Sequence, residues 1–256
     1  MTAPRPIRFD DVADLYDDYV VWNADIPFWT RETERIRGKV LELTCGTGRV
    51  SIPLLRAGID LTCVDYSGGK LNRFRAKLDH EGLSCPVIES DITELSLPGR
   101  FDLAFIPFHS FQEIVDRSKH QPTLERILSH LTESGRFICT LQNPAVRLNS
   151  IDGKPHLIGR FRRESGGSLE VSSQLSYDLP SDLVQGHQLY HLYDDSDTLI
   201  ETRHLDISFV LFPKDEFERL VLAAGFQVEA LYGNYDATHF DHGSSPSMIW
   251  VLRNAL

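Results

Sequence analysis

The residues best suited to chemistry stand at the carboxyl ends of short apolar runs. Val40-Leu41-Glu42-Leu43-Thr44-Cys45-Gly46-Thr47-Gly48 passes from a strand pattern into a glycine turn, and Arg49-Val50 leads into a helix. Gly46 and Gly48 permit positive φ and let a ligand approach the backbone closely. Asp65 ends the second apolar run nineteen residues after Gly46, where a carboxylate can accept both hydroxyls of a ribose. Asp91 follows the third run, where an acid can meet an adenine amino group. Glu42 sets a further carboxylate beside the turn, which disfavours a diphosphate and suits a ligand carrying an ammonium group. A dinucleotide fingerprint also requires a third glycine, and Ser51 occupies that position.

His109 comes just after the fourth apolar run, and Tyr235 and His239 follow the sixth, so all three fall on the same sheet edge. An imidazole there is a candidate general base or acceptor contact, or a histidine merely bonded to backbone. His187-x-x-x-His191 has the spacing of a zinc-binding helix, but Gln188 replaces the usual glutamate and the segment reads as a strand. His239 and His242 flank Asp241 with no third partner nearby. No metal site is expected.

These positions depend on an alternation of strands and helices. Lys39–Leu43, Asp60–Val64, Pro86–Glu89, Phe101–Ile106 and Arg136–Leu141 read as largely buried strands. Ser67 can cap a helix carrying Leu71, Phe74 and Leu78 on one face. A second helix after Pro122 aligns Leu124, Ile127, Leu128 and Leu131. A third after Pro213 aligns Phe217, Leu220, Val221 and Ala224 and stops at Gly225. From 146 to 212 the helical period disappears. Leu169, Val171, Leu175 and Tyr177 alternate instead, with an acidic turn at Asp194–Asp197, as in a small antiparallel sheet. The expected architecture is a doubly wound, mostly parallel seven-strand α/β sheet ending in an antiparallel hairpin, plus a β lid. Its segments are a cap (1–36), a core (37–145), a lid (146–212) and a completion of the core sheet (213–256).

Composition limits the classes available. The chain has 256 residues, with 26 Lys+Arg against 37 Asp+Glu, a net charge of −11, and an ordinary 41% hydrophobic content. That acidic field argues against nucleic acid as partner. No run is long enough to span a membrane, and no secretory signal opens the chain, which points to the cytoplasm. Cys45, Cys63, Cys85 and Cys139 lack paired spacing and read as free buried thiols.

The motif E-x-T-x-G-x-G (Glu42–Gly48), Asp65, and Glu89-Ser90-Asp91-Ile92 resemble the class I S-adenosylmethionine-dependent methyltransferases. Phe101–Phe111 and Ser134-Gly135-Arg136-Phe137 extend the resemblance, which is strong over 37–145 and moderate over 213–256. It implies S-adenosyl-L-methionine as cofactor. Glu42 would lie near the methionyl ammonium, the Gly46–Gly48 backbone under the sulfonium and ribose, and Asp65 at the ribose hydroxyls. Tyr66 would cover the adenine, Asp91 and the Ile92 amide would read its edge, and Ile106, Pro107 and Phe108 would line the methyl group. The family usually has glycine where this chain has Thr44. Threonine at a strand end implies an altered contact to the methionyl part rather than lost binding. Tyr16, Tyr19, Trp22 and Trp29 resemble the family's closing cap, with Tyr19, Tyr235 and His239 as candidate acceptor contacts.

Amine-methylating enzymes of the family that act on nucleic acid or glutamine carry an Asn/Asp-Pro-Pro-aromatic run after the fourth strand. Ile106-Pro107-Phe108-His109 stands there instead. The resemblance therefore implies methyl transfer to an oxygen or nitrogen of a small-molecule acceptor, with His109 as the candidate base. A catalytically silent cofactor-binding protein with a regulatory or assembly role is the alternative, and a nicotinamide-dependent reductase a weaker one. The aromatic N-terminal segment and the lid strands also offer surface for a homodimer.

Overall fold

The computed structural model describes residues 7–255. A short helix α1 (Tyr16–Tyr19) and α2 (Ile26–Glu34) precede β1 (Val40–Leu43), α3 (Ser51–Arg56), β2 (Leu61–Asp65), α4 (Gly68–Glu81) and β3 (Val87–Glu89). β4 (Phe101–Ile106), α5 (His120–Ser129), β5 (Leu131–Gln142) and α6 (Pro144–Arg147) follow. The lid is β6 (Pro155–Arg162), β7 (Ser168–Asp178), β8 (Leu183–Tyr193) and β9 (Leu199–Val210). α7 (Lys214–Ala223), β10 (Phe226–Tyr232) and β11 (Ser247–Asn254) return the chain to the core.

The main sheet has the order β10-β11-β5-β4-β1-β2-β3, and β11 runs antiparallel to both neighbours. After β3 the chain crosses back to place β4 beside β1. Strand order reverses there, which opens a crevice at the carboxyl ends of β1 and β4. Both sheet faces are covered. Phe111, Phe217 and Trp250 belong to the apolar cluster on one side, and Phe28, Trp29 and Phe74 to that on the other. All four residues of β1 are buried, Glu42 among them. Ser67 caps α4, its Oγ accepting from the Lys70 amide at 3.2 Å. Leu71, Phe74 and Leu78 turn inward as their spacing requires.

Two boundaries differ from the sequence reading. α5 begins at His120, because Pro122 falls in the first turn, where its missing amide is not needed. Leu131, expected on that helix, opens β5 instead, ahead of a register shift opposite Phe101 and Leu103. Of the four free cysteines, Cys85 is only partly buried.

The lid is a four-strand antiparallel meander in the order β6-β7-β8-β9. Leu169, Val171 and Leu175 face inward, as their alternation implies, and pack with Val184, Tyr190 and Ile207. The same cluster contains Ile7, Val12 and Leu15. Cap and lid therefore share one apolar layer above the wound core. His187 and His191 lie on β8, not on a helix. Four residues of extended chain separate them by about 13 Å, too far to share a metal ion. Among the described residues no helix is long and apolar enough to cross a membrane.

Candidate active site

The turn after β1 is built by its conformations. Thr44, Gly46 and Gly48 have φ of +62°, +57° and +83°. Thr44 thus departs from the expected strand-end geometry: it occupies the left-handed region that a β-branched residue rarely enters. Its Oγ1 donates to the Leu43 carbonyl at 2.5 Å. Gly48 serves packing, since a Cβ built on it would lie 2.2 Å from the Phe74 ring. The Asp65 carboxylate ties this turn to α4, accepting from the Gly46 amide through Oδ2 and the Ser67 amide through Oδ1, both at 2.8 Å. Each oxygen keeps a second lone pair for a ligand hydroxyl. Glu42 lies beneath the turn and accepts from Ser51 Oγ at 2.6 Å. Burial pushes its carboxyl up to about 8, against the pull of that hydroxyl and of Arg49. Ser51, where a dinucleotide binder has glycine, is thus a partner of Glu42.

Three cap aspartates close the turn from above. Asp10 accepts from Ser67 Oγ at 2.7 Å and from the Gly69 amide at 2.8 Å. Asp17 accepts from Thr47 Oγ1 at 2.6 Å and pairs with Lys77 at 2.8 Å. Asp25 holds the Arg49 guanidinium through two bonds of 2.6 and 2.7 Å. Arg49 in turn lies 4.9 Å above the Phe108 ring and 5.7 Å from Trp22. The Lys70 ammonium is buried 3.2 Å from the Phe9 ring centre and 4.3 Å from that of Tyr16. Burial lowers its pKa, with Asp65 and Glu113 opposing.

β4 ends in two further strained residues, Phe108 and His109, with φ of +57° and +68°. The His109 amide donates to Thr140 Oγ1 at 3.1 Å, and its Nε2 lies 3.2 Å from Ser247 Oγ. Burial lowers the imidazole pKa to about 4, with nearby Arg147 adding to the effect. The ring is therefore neutral at physiological pH.

These elements line a partly open cavity of about 370 Å³ between core, cap and lid. Of the expected site residues, Glu42, Thr44, Gly46, Asp65 and Tyr66 line it on the core side. Pro107, Phe108, His109 and, from the cap, Tyr19 line it as well. The rest do not. Asp91 is exposed and caps the next turn, accepting from the Thr93 amide at 2.8 Å, while Ile92 is buried in the core. Gly48 and Ile106 lie behind the wall. Tyr235 packs against Trp22, Phe28 and Trp29, and exposed His239 bridges to Tyr232 through backbone. Neither lines the cavity: Tyr235 lies behind Trp22, which does.

Among the lining residues with no assignment from sequence are Lys70, Glu113, Gln142 and Arg147. The Glu113 carboxyl makes no hydrogen bond to another described residue. Burial raises its carboxyl to about 7, opposed by Lys70 and helped by Asp65. Its place four residues beyond His109, in the segment after the fourth strand, was the available signal.

The core side of the cavity thus offers carboxyl groups at Glu42 and Asp65, an aromatic wall at Tyr16 and Tyr66, and closely approachable backbone at Gly46. This donor set fits a nucleoside carrying a cationic side chain, and it lacks the third glycine that a pyrophosphate requires. Residues 40–135 match the methyltransferase domain family. The wound sheet, the site at its switch point and this match give the chain a methyltransferase domain over residues 40–135, with the fold of the S-adenosylmethionine-dependent methyltransferases.

Particular relatives extend over nearly the whole chain. It is 23% identical over 260 residues to the cypemycin N-terminal methyltransferase of a Streptomyces species, covering 97% of this chain and 98% of that one. An S-adenosylmethionine-dependent methyltransferase from Clostridium acetobutylicum superposes with a TM-score of 0.81 at 16% identity, covering 97% and 99% of the two chains. The S-adenosylmethionine-bound amino pentose methyltransferase of calicheamicin biosynthesis from Micromonospora echinaspora gives a TM-score of 0.68 at 15% identity, covering 90% and 89%.

Proposed function

We propose that the enzyme methylates the amine nitrogen of a small molecule enclosed between core and lid. The observation that carries this reading is the cavity between core, cap and lid, whose wall after β4 presents a neutral His109 and a Glu113 carboxyl that makes no hydrogen bond to a described side chain. A hydroxyl acceptor needs a base as the new bond forms, and an imidazole titrating near 4 is a weak one. An amine needs only to shed its proton beforehand. Glu113, titrating near 7, is suited to take it and return it to solvent. Relatives named for N-terminal methylation and for an amino pentose support nitrogen.

Bound cofactor supplies the methyl group on a sulfonium, which carries its own leaving group. The chain's task is alignment and exclusion of water, together worth about 7–11 kcal/mol in well-oriented reactions. Glu42 and Asp65 would hold the charged and ribosyl parts, with Tyr66 against the base. His109 orients the acceptor by hydrogen bonding, and Tyr19, bonded to Tyr190 at 3.2 Å, closes the lid side.

Titration calorimetry with S-adenosylmethionine, its demethylated product and NAD tests the reading. Both sulfur ligands are expected to bind, and NAD to be ignored. Asp65→Ala should weaken the sulfur ligands by about 10- to 150-fold, the worth of charge-assisted bonds of about 1.5–3 kcal/mol. NAD binding without a response to the sulfonium ligand would overturn the proposal.

A further inference from the structure

Three cations line the cavity, and two have acids at hand. Arg49 is paired with Asp25, and Lys70 stands close to Asp65 and Glu113. Arg147 differs: among the described residues no carboxylate pairs with it. It ends α6, the short helix that Asn143 caps directly after β5. One guanidinium nitrogen, Nη1, donates to Ser150 Oγ at 2.5 Å, and the group lies 5.9 Å from the Phe209 ring centre. Its Nε is buried without a hydrogen-bond partner, as is Oε1 of Gln142 on the same cavity wall. A partly buried guanidinium with no counter-ion carries a desolvation cost that a ligand anion would relieve.

The cavity is divided by charge. Glu42 and Asp65 stand toward the glycine turn and α4, matching a cationic donor. Arg147 is the cation left free on the lid side, close enough to depress His109. We propose that the acceptor bears a carboxylate as well as its amine, and that Arg147 receives it through Nε and Nη2. The assignment rests on the methyl-transfer reading above. A planar guanidinium edge with two free donors matches a planar carboxylate. Gln142 Oε1 accepts an N–H of the acceptor, and the amine is left facing the wall of His109 and Glu113. The substrate class is that of free amino acids.

The test is calorimetry on the full chain saturated with the demethylated cofactor product, so that no turnover is required. The probes are glycine, L-alanine and β-alanine, each beside its carboxamide, and phosphoethanolamine. At least one acid is expected to bind, with its amide about 10- to 150-fold weaker. Arg147→Gln should weaken the acid to the level of its amide and leave the amide unchanged. Arg147→Lys, which keeps the charge but loses the fork, should restore part of the difference. Both variants should bind the cofactor product like the wild type, and their thermal transitions should coincide. If Arg147 merely covered Phe209, the substitutions would shift the melting temperature and leave the acid-to-amide ratio alone, which would overturn the proposal. Equal binding of acid and amide, preference for phosphoethanolamine, or silence from every carboxylate while the cofactor product binds would also overturn it, without touching the methyl-transfer reading. Failure to bind the cofactor product at all would remove both.

Discussion

Glu113→Gln is expected to lower kcat/KM by about 10²–10⁴-fold, the usual range for removing a general base. Wild-type kcat/KM should rise with pH through about 7, because the carboxylate is the active form and burial holds its pKa there. The variant should lose that rise and bind the cofactor normally. His109→Gln supplies the contrast: an imidazole titrating near 4 is already neutral, so its loss should raise KM and leave the profile unmoved. A limb near 7 that survives Glu113→Gln would remove Glu113 as the base. The same shift has a cost in the free protein. A carboxyl raised above its ordinary 4.5 contributes its full stability below that pH and loses it as pH rises through about 7. Glu42 acts in the same direction up to about 8, so the unliganded fold should weaken from pH 5 to pH 8 on account of these two groups. A ligand ammonium beside Glu42 would offset part of that loss.

Gly48→Val should destabilise the fold by about 2–5 kcal/mol, combining overpacking of about 1–3 with a left-handed penalty of about 1–2. The added Cβ enters the Phe74 ring at 2.2 Å on a backbone with φ of +83°. Chemical denaturation of the single variant, of Phe74→Ala and of the double variant would apportion the effect. The double variant should be more stable than the summed losses imply, since removing the ring removes the clash. Strict additivity would mean that the strain resides in the backbone alone. Cofactor binding should fail in the Val variant through displacement of the turn, because Gly48 itself is not on the cavity wall.

Much of the scaffold was legible because it follows from local chemistry. Ser67 before an apolar period signalled a capped helix, the odd positions of 169–177 signalled a half-buried strand, and Glu42 to Asp65 followed from strand ends facing one edge. Strand order also placed Asp91 and His239 at that edge, but it carries no information on lateral distance, and both lie off the cavity. Glu113 and Arg147 sit on a single turn and a four-residue helix, too short to show a period. The depressed pKa of His109 arises from burial and from Arg147, thirty-eight residues away in the chain, so its ordinary value near 6.5 was the wrong guide.

The apolar layer shared by cap and lid has a bearing on how the molecule opens. Besides Ile7, Val12 and Leu15 among the lid side chains, Arg163 pairs with Asp18 at 2.8 Å and Arg203 with Asp14 at 2.6 Å. Segments 145 and 189 residues apart in sequence are thereby joined in one layer, which Asp10 and Asp17 also tie to the core. Native-state amide exchange should report α1 and β7–β8 with a common opening free energy, lower than that of β1 and β4. A cofactor held in the cavity would touch layer and sheet at once, so it should act as a clamp that raises the opening energy of the upper layer toward that of the sheet. A fragment trimmed to the core would retain the glycine turn and Asp65 but lose Tyr16 and Tyr19 from the cavity wall, leaving a groove open to water where the full chain has walls on three sides.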